Sequence, residues 1–138
     1  MKKIITILMA AVLMFAFVGC GGADIEECVV LADQAINDCK PYIDTCYGFF
    51  ADFSEEEMTY TIATYVDEKE VERVVAGIET DYPATVKAGT ISALDTDTSL
   101  IKGNLNLLRE AAEKAFKGTK VKVITCHIKT DGNVVTYD

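Results

Sequence analysis

The stretch Met58-Thr-Tyr-Thr-Ile-Ala-Thr-Tyr-Val66 is β-branched and aromatic along its length, and at Asp67 the hydrophobic period changes. Met58, Tyr60, Ile62, Thr64 and Val66 alternate with Thr59, Thr61, Ala63 and Tyr65, the pattern of a strand with two distinct faces. After Asp67, Val71, Val74, Val75 and Ile78 recur at helical spacing, with Glu68, Lys69, Glu72, Arg73 and Glu79 on the other side. Asp67 suits the cap of that helix, which fades by Tyr82-Pro83.

Working outward, Gly48 to Phe53 reads as a preceding strand joined through Ser54-Glu55-Glu56-Glu57. The alternative is that Tyr42 to Phe53 continues the first helix. That first helix covers 24–44, with Ile25, Cys28, Val29, Ala32, Ile36, Cys39 and Ile43 on one face. Asp24 caps it, Glu26 and Glu27 suit its first turn, and Pro41 kinks or breaks it. Residues 84–97 read equally as a helical extension or a loop. Leu100, Ile101, Leu105, Leu108, Ala112, Ala115 and Phe116 mark another helix, ending at Lys117-Gly118. A hairpin closes the chain, with strands Lys120–Lys129 and Asn133–Tyr137 around the Asp131-Gly132 turn. The order α-β-β-α-α-β-β predicts an α+β fold with helices packed on one face of a small antiparallel sheet.

The N-terminus carries an address. Lys2 and Lys3 precede an apolar run from Ile4 to Val18, which ends at Gly19-Cys20. The run is shorter than the roughly 20 residues of a membrane span and fits a signal-peptide core. Gly21-Gly22-Ala23-Asp24 follows as a pliable tether. Phe17-Val18-Gly19-Cys20 resembles the lipobox of bacterial lipoproteins. That resemblance implies cleavage after Gly19 and a diacylglycerol on Cys20. It makes 1–19 a lipoprotein signal peptide and 20–24 a tether; the length of the remainder, 25–138, suits a single α+β domain. Phe17 departs from the leucine that the family prefers, and a plain secretory signal is the alternative. The element order and final hairpin also resemble small uncharacterised lipoprotein domains of Gram-positive bacteria, which implies no activity.

The charge bounds the partners. Lys2 and Lys3 leave with the signal, so 11 of the 13 bases face all 22 acids, a net of −11. Such a domain does not suit nucleic acid, whose phosphates need a basic surface. It is also repelled by anionic lipid, so a lipid on Cys20 would be what holds it at the extracytoplasmic face of the cell membrane.

Cys28, Cys39, Cys46 and Cys126 remain beyond Cys20, and an exported compartment permits them to pair. A continuous helix over 25–40 puts Cys28 and Cys39 about 16 Å apart, too far for a disulfide. Cys126 would then bond Cys28 or Cys39, and Cys46 the remaining one. The alternative is four buried thiols. Zinc does not suit a chain with one histidine and no C-x-x-C pair.

His127 reads as a histidine on a solvated strand face, pointing away from its neighbour Cys126. Asp95-x-Asp97-x-Ser99 echoes the start of a calcium loop, but Leu100 stands where glycine is needed. It reads instead as a polar link that caps the next helix. There is no phosphate loop, and no cofactor or metal is expected. Among six tyrosines, Tyr60 and Tyr65 are singled out as ligand-binding residues that could stack on peptide or glycan. The functional expectation is a membrane-anchored, non-enzymatic binding or envelope-structural module, with an envelope protein, peptide or glycan as partner. The alternatives are a soluble secreted inhibitor or adhesion-type domain and a small carboxylate-based hydrolase.

Overall fold

The computed structural model describes residues 24–77, 81 and 83–137. The readings of the signal, of Cys20 and most of its tether, and of Ile78, Glu79 and Tyr82 lie outside the described residues. The elements run α1 (Ile25–Asp38), a 3-10 turn (Lys40–Tyr42), β1 (Tyr47–Ser54), β2 (Thr59–Val66), α2 (Glu68–Ala76), α3 (Pro83–Thr96), α4 (Thr98–Ala115), β3 (Lys122–Ile128) and β4 (Val134–Tyr137). The mixed α+β class is as expected.

Local chemistry explains the boundaries. Asp24 accepts from the Glu27 amide at 3.2 Å, capping α1. The helix stops at Asp38, because Pro41 supplies no amide hydrogen and disfavours helical backbone before it. It is therefore shorter than the 24–44 expectation, and Tyr47–Ser54 forms a strand rather than a continuation of it. The β1–β2 link turns at Met58, whose φ of 54° is left-handed, while Ser54 Oγ accepts from the Glu57 amide. Asp67 accepts from the Lys69 and Glu70 amides to cap α2. Asp97 accepts from the Leu100 amide to cap α4. In the last hairpin, Gly132 takes a φ of 93° and Asp131 accepts from the Asn133 amide.

Two features of the expected architecture are corrected. Residues 84–96 are helical, the first of the two alternatives for that segment, but as a separate helix between the two expected ones, so the order is α-β-β-α-α-α-β-β. Its inward positions mix Val86, Ile91 and Leu94 with Thr90 and Asp95, so no clean apolar stripe announced it. The sheet is also not wholly antiparallel. Its order is β1-β2-β3-β4; β1/β2 and β3/β4 are antiparallel hairpins, but β2 and β3 pair in parallel. A parallel neighbour needs a crossover, and α2, α3 and α4 together supply it.

The sheet is two-faced. Tyr47, Phe49, Ala51 and Phe53 of β1 share one face with Tyr60, Ile62, Thr64 and Val66 of β2 and with Val123, Thr125 and His127 of β3. Helix α4 packs on this face with Ile101, Leu105, Leu108 and Ala112, joined by Phe116 just past its end, and α1 packs on α4 with Cys28, Ala32 and Ile36. Fully burying a leucine or isoleucine is worth about 1.5–3 kcal/mol, so this helix-on-sheet contact is the main source of stability. Arg109 on α4 donates to Thr125 Oγ1 and, at 2.7 Å, to the Tyr137 carbonyl, fastening β4 to the layer above. Tyr60 is wholly buried among these residues, and its hydroxyl donates to Asp33 Oδ1 at 2.6 Å.

The opposite face carries Gly48, Phe50 and Asp52, then Thr61, Ala63 and Tyr65, then Ile124, Cys126 and Ile128. Tyr65 stands directly opposite Gly48, and a Cβ on that glycine would lie 2.3 Å from the ring. Gly48→Ala should therefore destabilise the domain by about 1 kcal/mol, as the ring swings off the strand. Urea unfolding should show most of that loss vanishing in a Tyr65→Ala background, because the clash partner is gone.

Candidate functional site

The first cluster grows from strand alternation. His127 follows Cys126, so the two point to opposite faces, and it is His127 that points inward. Its register partner on β2 is Thr64, and both are 0% exposed. This overturns the expectation of a solvated histidine: the parallel pairing makes β3 an interior strand and lays α3 over this end of it.

Thr64 Oγ1 lies 2.9 Å from His127 Nδ1, and His127 Nε2 lies 3.0 Å from Asp95 Oδ1. The second Asp95 oxygen accepts from the Thr130 amide at 2.9 Å and from its hydroxyl at 2.5 Å. A carboxylate only accepts, so Nε2 carries a proton; in the neutral imidazole Nδ1 then accepts from the Thr64 hydroxyl. The Tyr47 ring meets the imidazole edge-on at 6.1 Å, and its hydroxyl donates to the Leu94 carbonyl at 2.6 Å. Burial, followed by the nearby Asp97, Asp44 and Asp95 charges, raises the Tyr47 phenol well above its ordinary pKa.

Hydroxyl, imidazole and carboxylate in a row form the order of a nucleophile–base relay. Here the hydroxyl is sealed, so no substrate carbon can reach Thr64 Oγ1 in this conformation. What the row does is tie four elements together: β2, β3, the end of α3 and the β3–β4 turn. Burial pushes the Asp95 carboxyl up, but the Thr130 hydroxyl, His127 and the Thr130 amide outweigh it, and its pKa falls below the usual value.

The second feature is a groove of about 480 Å³ where β1 begins. Lys40, Asp44, Gly48, Tyr65, Asp67 and Glu70 are among its lining residues, and the edge of α1 contributes Asn37. Phe50, half exposed, sits beside Tyr65 with ring centroids 6.1 Å apart.

The singled-out residues thus fare differently. Tyr60 belongs to the core and offers no surface to a ligand, because its position alternates with Tyr65 onto the helix-covered face. Tyr65 does line the groove. Asp95 and Asp97 serve the buried row and the α4 cap, and no group of three or more His, Cys, Asp or Glu residues arranged for a metal occurs among the described residues. Cys39, Cys46 and Cys126 are free, so neither expected bond of Cys126 forms, nor any bond of Cys46 with these residues; Cys28 is disulfide-bonded. The sheet itself separates Cys126, buried on the face opposite α4, from Cys39 at the end of α1 on the α4 side. The part played by Thr64, Asp95 and Thr130 escaped sequence reasoning; the one usable signal was that Thr64 and His127 each fall on an apolar-alternating strand. Comparison with protein-family models, with curated proteins and with solved structures yields no match.

Asp95→Asn should cost about 2 kcal/mol at neutral pH, measured by urea unfolding, since buried donors lose their acceptor. The folded-state pKa of Asp95 is depressed, so its contribution is present above about pH 4 and is lost as the pH falls further. The gap between wild type and Asp95→Asn should close over that acidic range. Burial also raises the Cys39, Cys46 and Cys126 thiols, lowering their thiolate fractions. Alkylation of the native protein should therefore be slow at all three, and peptide mapping after unfolding without reductant should find all three modified.

Proposed function

We propose that this protein is an exported, lipid-anchored binding module of the bacterial cell envelope, held to the membrane through Cys20 and without enzymatic chemistry of its own. The observation that carries the reading is the run from Lys2-Lys3 through the Ile4–Val18 apolar stretch to Gly19-Cys20. The arrangement of the domain supports it. Asp24, next to the tether, caps one end of α1, and Asn37 at the other end lines the groove. Thirteen residues of helix separate them by about 20 Å. A domain tethered at Cys20 would present the groove away from the lipid. The sealed Thr64 hydroxyl supports a structural duty for the His127 row over a catalytic one.

A soluble secreted binding domain is the second reading, favoured by Phe17, which departs from the lipobox preference. One measurement separates the two. Intact mass of the protein from cells should give a chain that begins at Cys20, carries diacylglycerol and partitions with membranes; Cys20→Ala should abolish both. An unmodified N-terminus at Gly21 or Ala23 would sink the lipid reading.

A further inference from the structure

We propose that the groove at the start of β1 takes an extended basic peptide, which docks as an added strand on β1 and sets a lysine or arginine side chain against Tyr65 and the surrounding carboxylates. This deepens the binding reading above and rests on it.

Three observations converge there. The first is an open edge. β1 is the outermost strand of the sheet, and its second side pairs with no strand among the described residues. An unpaired edge presents a row of amides and carbonyls that an extended chain can complete.

The second is an aromatic platform at that edge. Tyr65 lies across Gly48, and the half-exposed Phe50 continues the surface. A guanidinium or ammonium group stacks favourably on such a ring face.

The third is charge. Asp44, Asp67 and Glu70 outnumber Lys40 in the groove. Their existing bonds each use a single oxygen: Asp44 Oδ1 accepts from the Cys46 amide, Asp67 Oδ1 caps α2, and Glu70 Oε1 holds Arg73. The second oxygens of Asp67 and Glu70 have no hydrogen-bond partner among the described residues, and Asp44 also interacts with the neighbouring Cys46 thiol. The whole chain, at −9, adds long-range attraction for a cation and repels an acidic peptide. A glycan would use the aromatic surface but would need neither the carboxylates nor the strand edge.

The test is calorimetric titration of the full chain in detergent with a synthetic octapeptide of alternating arginine and valine. The expected result is one peptide bound per chain, with affinity falling as salt rises. The matching glutamate–valine peptide should not bind. An Asp44→Asn, Glu70→Gln double variant should bind about tenfold more weakly, which corresponds to about 1.4 kcal/mol shared by two charge contacts. Methylating alternate peptide nitrogens on the pairing side should weaken binding at least as much, and hydrogen exchange should slow at β1 amides in the complex. No binding of the arginine peptide, equal binding of the glutamate peptide, or indifference to the double variant would overturn the proposal. Indifference to N-methylation, or binding of free arginine as tight as that of the peptide, would overturn the strand-addition geometry. Anchoring is read separately by the intact mass, so loss of the lipid and loss of peptide binding are distinguishable results.

Discussion

Strands β2 and β3 run parallel, and that pairing constrains nearly everything else in the domain. Two hairpins, β1–β2 and β3–β4, are each locally specified by their turns. Joining them in parallel obliges the chain from Asp67 to Val121 to return across one face of the sheet before β3 begins. The return path is three helices. The last of them, α4, lays its apolar stripe on the inner sheet face, and α1 completes the layer against α4. The opposite face receives no helix among the described residues, which leaves Phe50 and Tyr65 in the open.

The same pairing explains why this domain buries a histidine and a carboxylate. Parallel neighbours place Thr64 beside His127, and the crossover sets the end of α3 above them. Polar groups sealed in this way are costly unless each finds a partner. Thr64, His127, Asp95 and Thr130 satisfy one another, so the row works as a polar seam between sheet, helix and turn. Its resemblance to a catalytic relay extends to the order of the groups and stops at access.

Charge and shape divide the molecule by position. The N-terminal end of α1 is capped by Asp24, and the other end of the same helix opens onto the groove. There the edge strand, the Tyr65 ring and three carboxylates converge. A lipid anchor and a recognition surface at opposite ends of one helix would be a coherent arrangement for an envelope protein.

The sequence by itself determined the elements whose signals are local. Alternation in Met58–Val66, the change of period at Asp67, the caps Asp24 and Asp67 and the Asp131-Gly132 turn are written within a few residues of where they act. Pro41 likewise ends the first helix by removing an amide hydrogen. Only the tertiary structure decided the parallel junction, the third central helix and the fate of single residues. Helix α3 was illegible because its inward face holds Thr90 and Asp95, and a polar residue looks solvated until its buried partner is known. His127 and Tyr60 were misplaced for the same reason, and Tyr65 joined the groove through neighbours distant in sequence. Periodicity says which side chains share a face. Which face is covered depends on how remote elements pack, and that is decided by the fold as a whole.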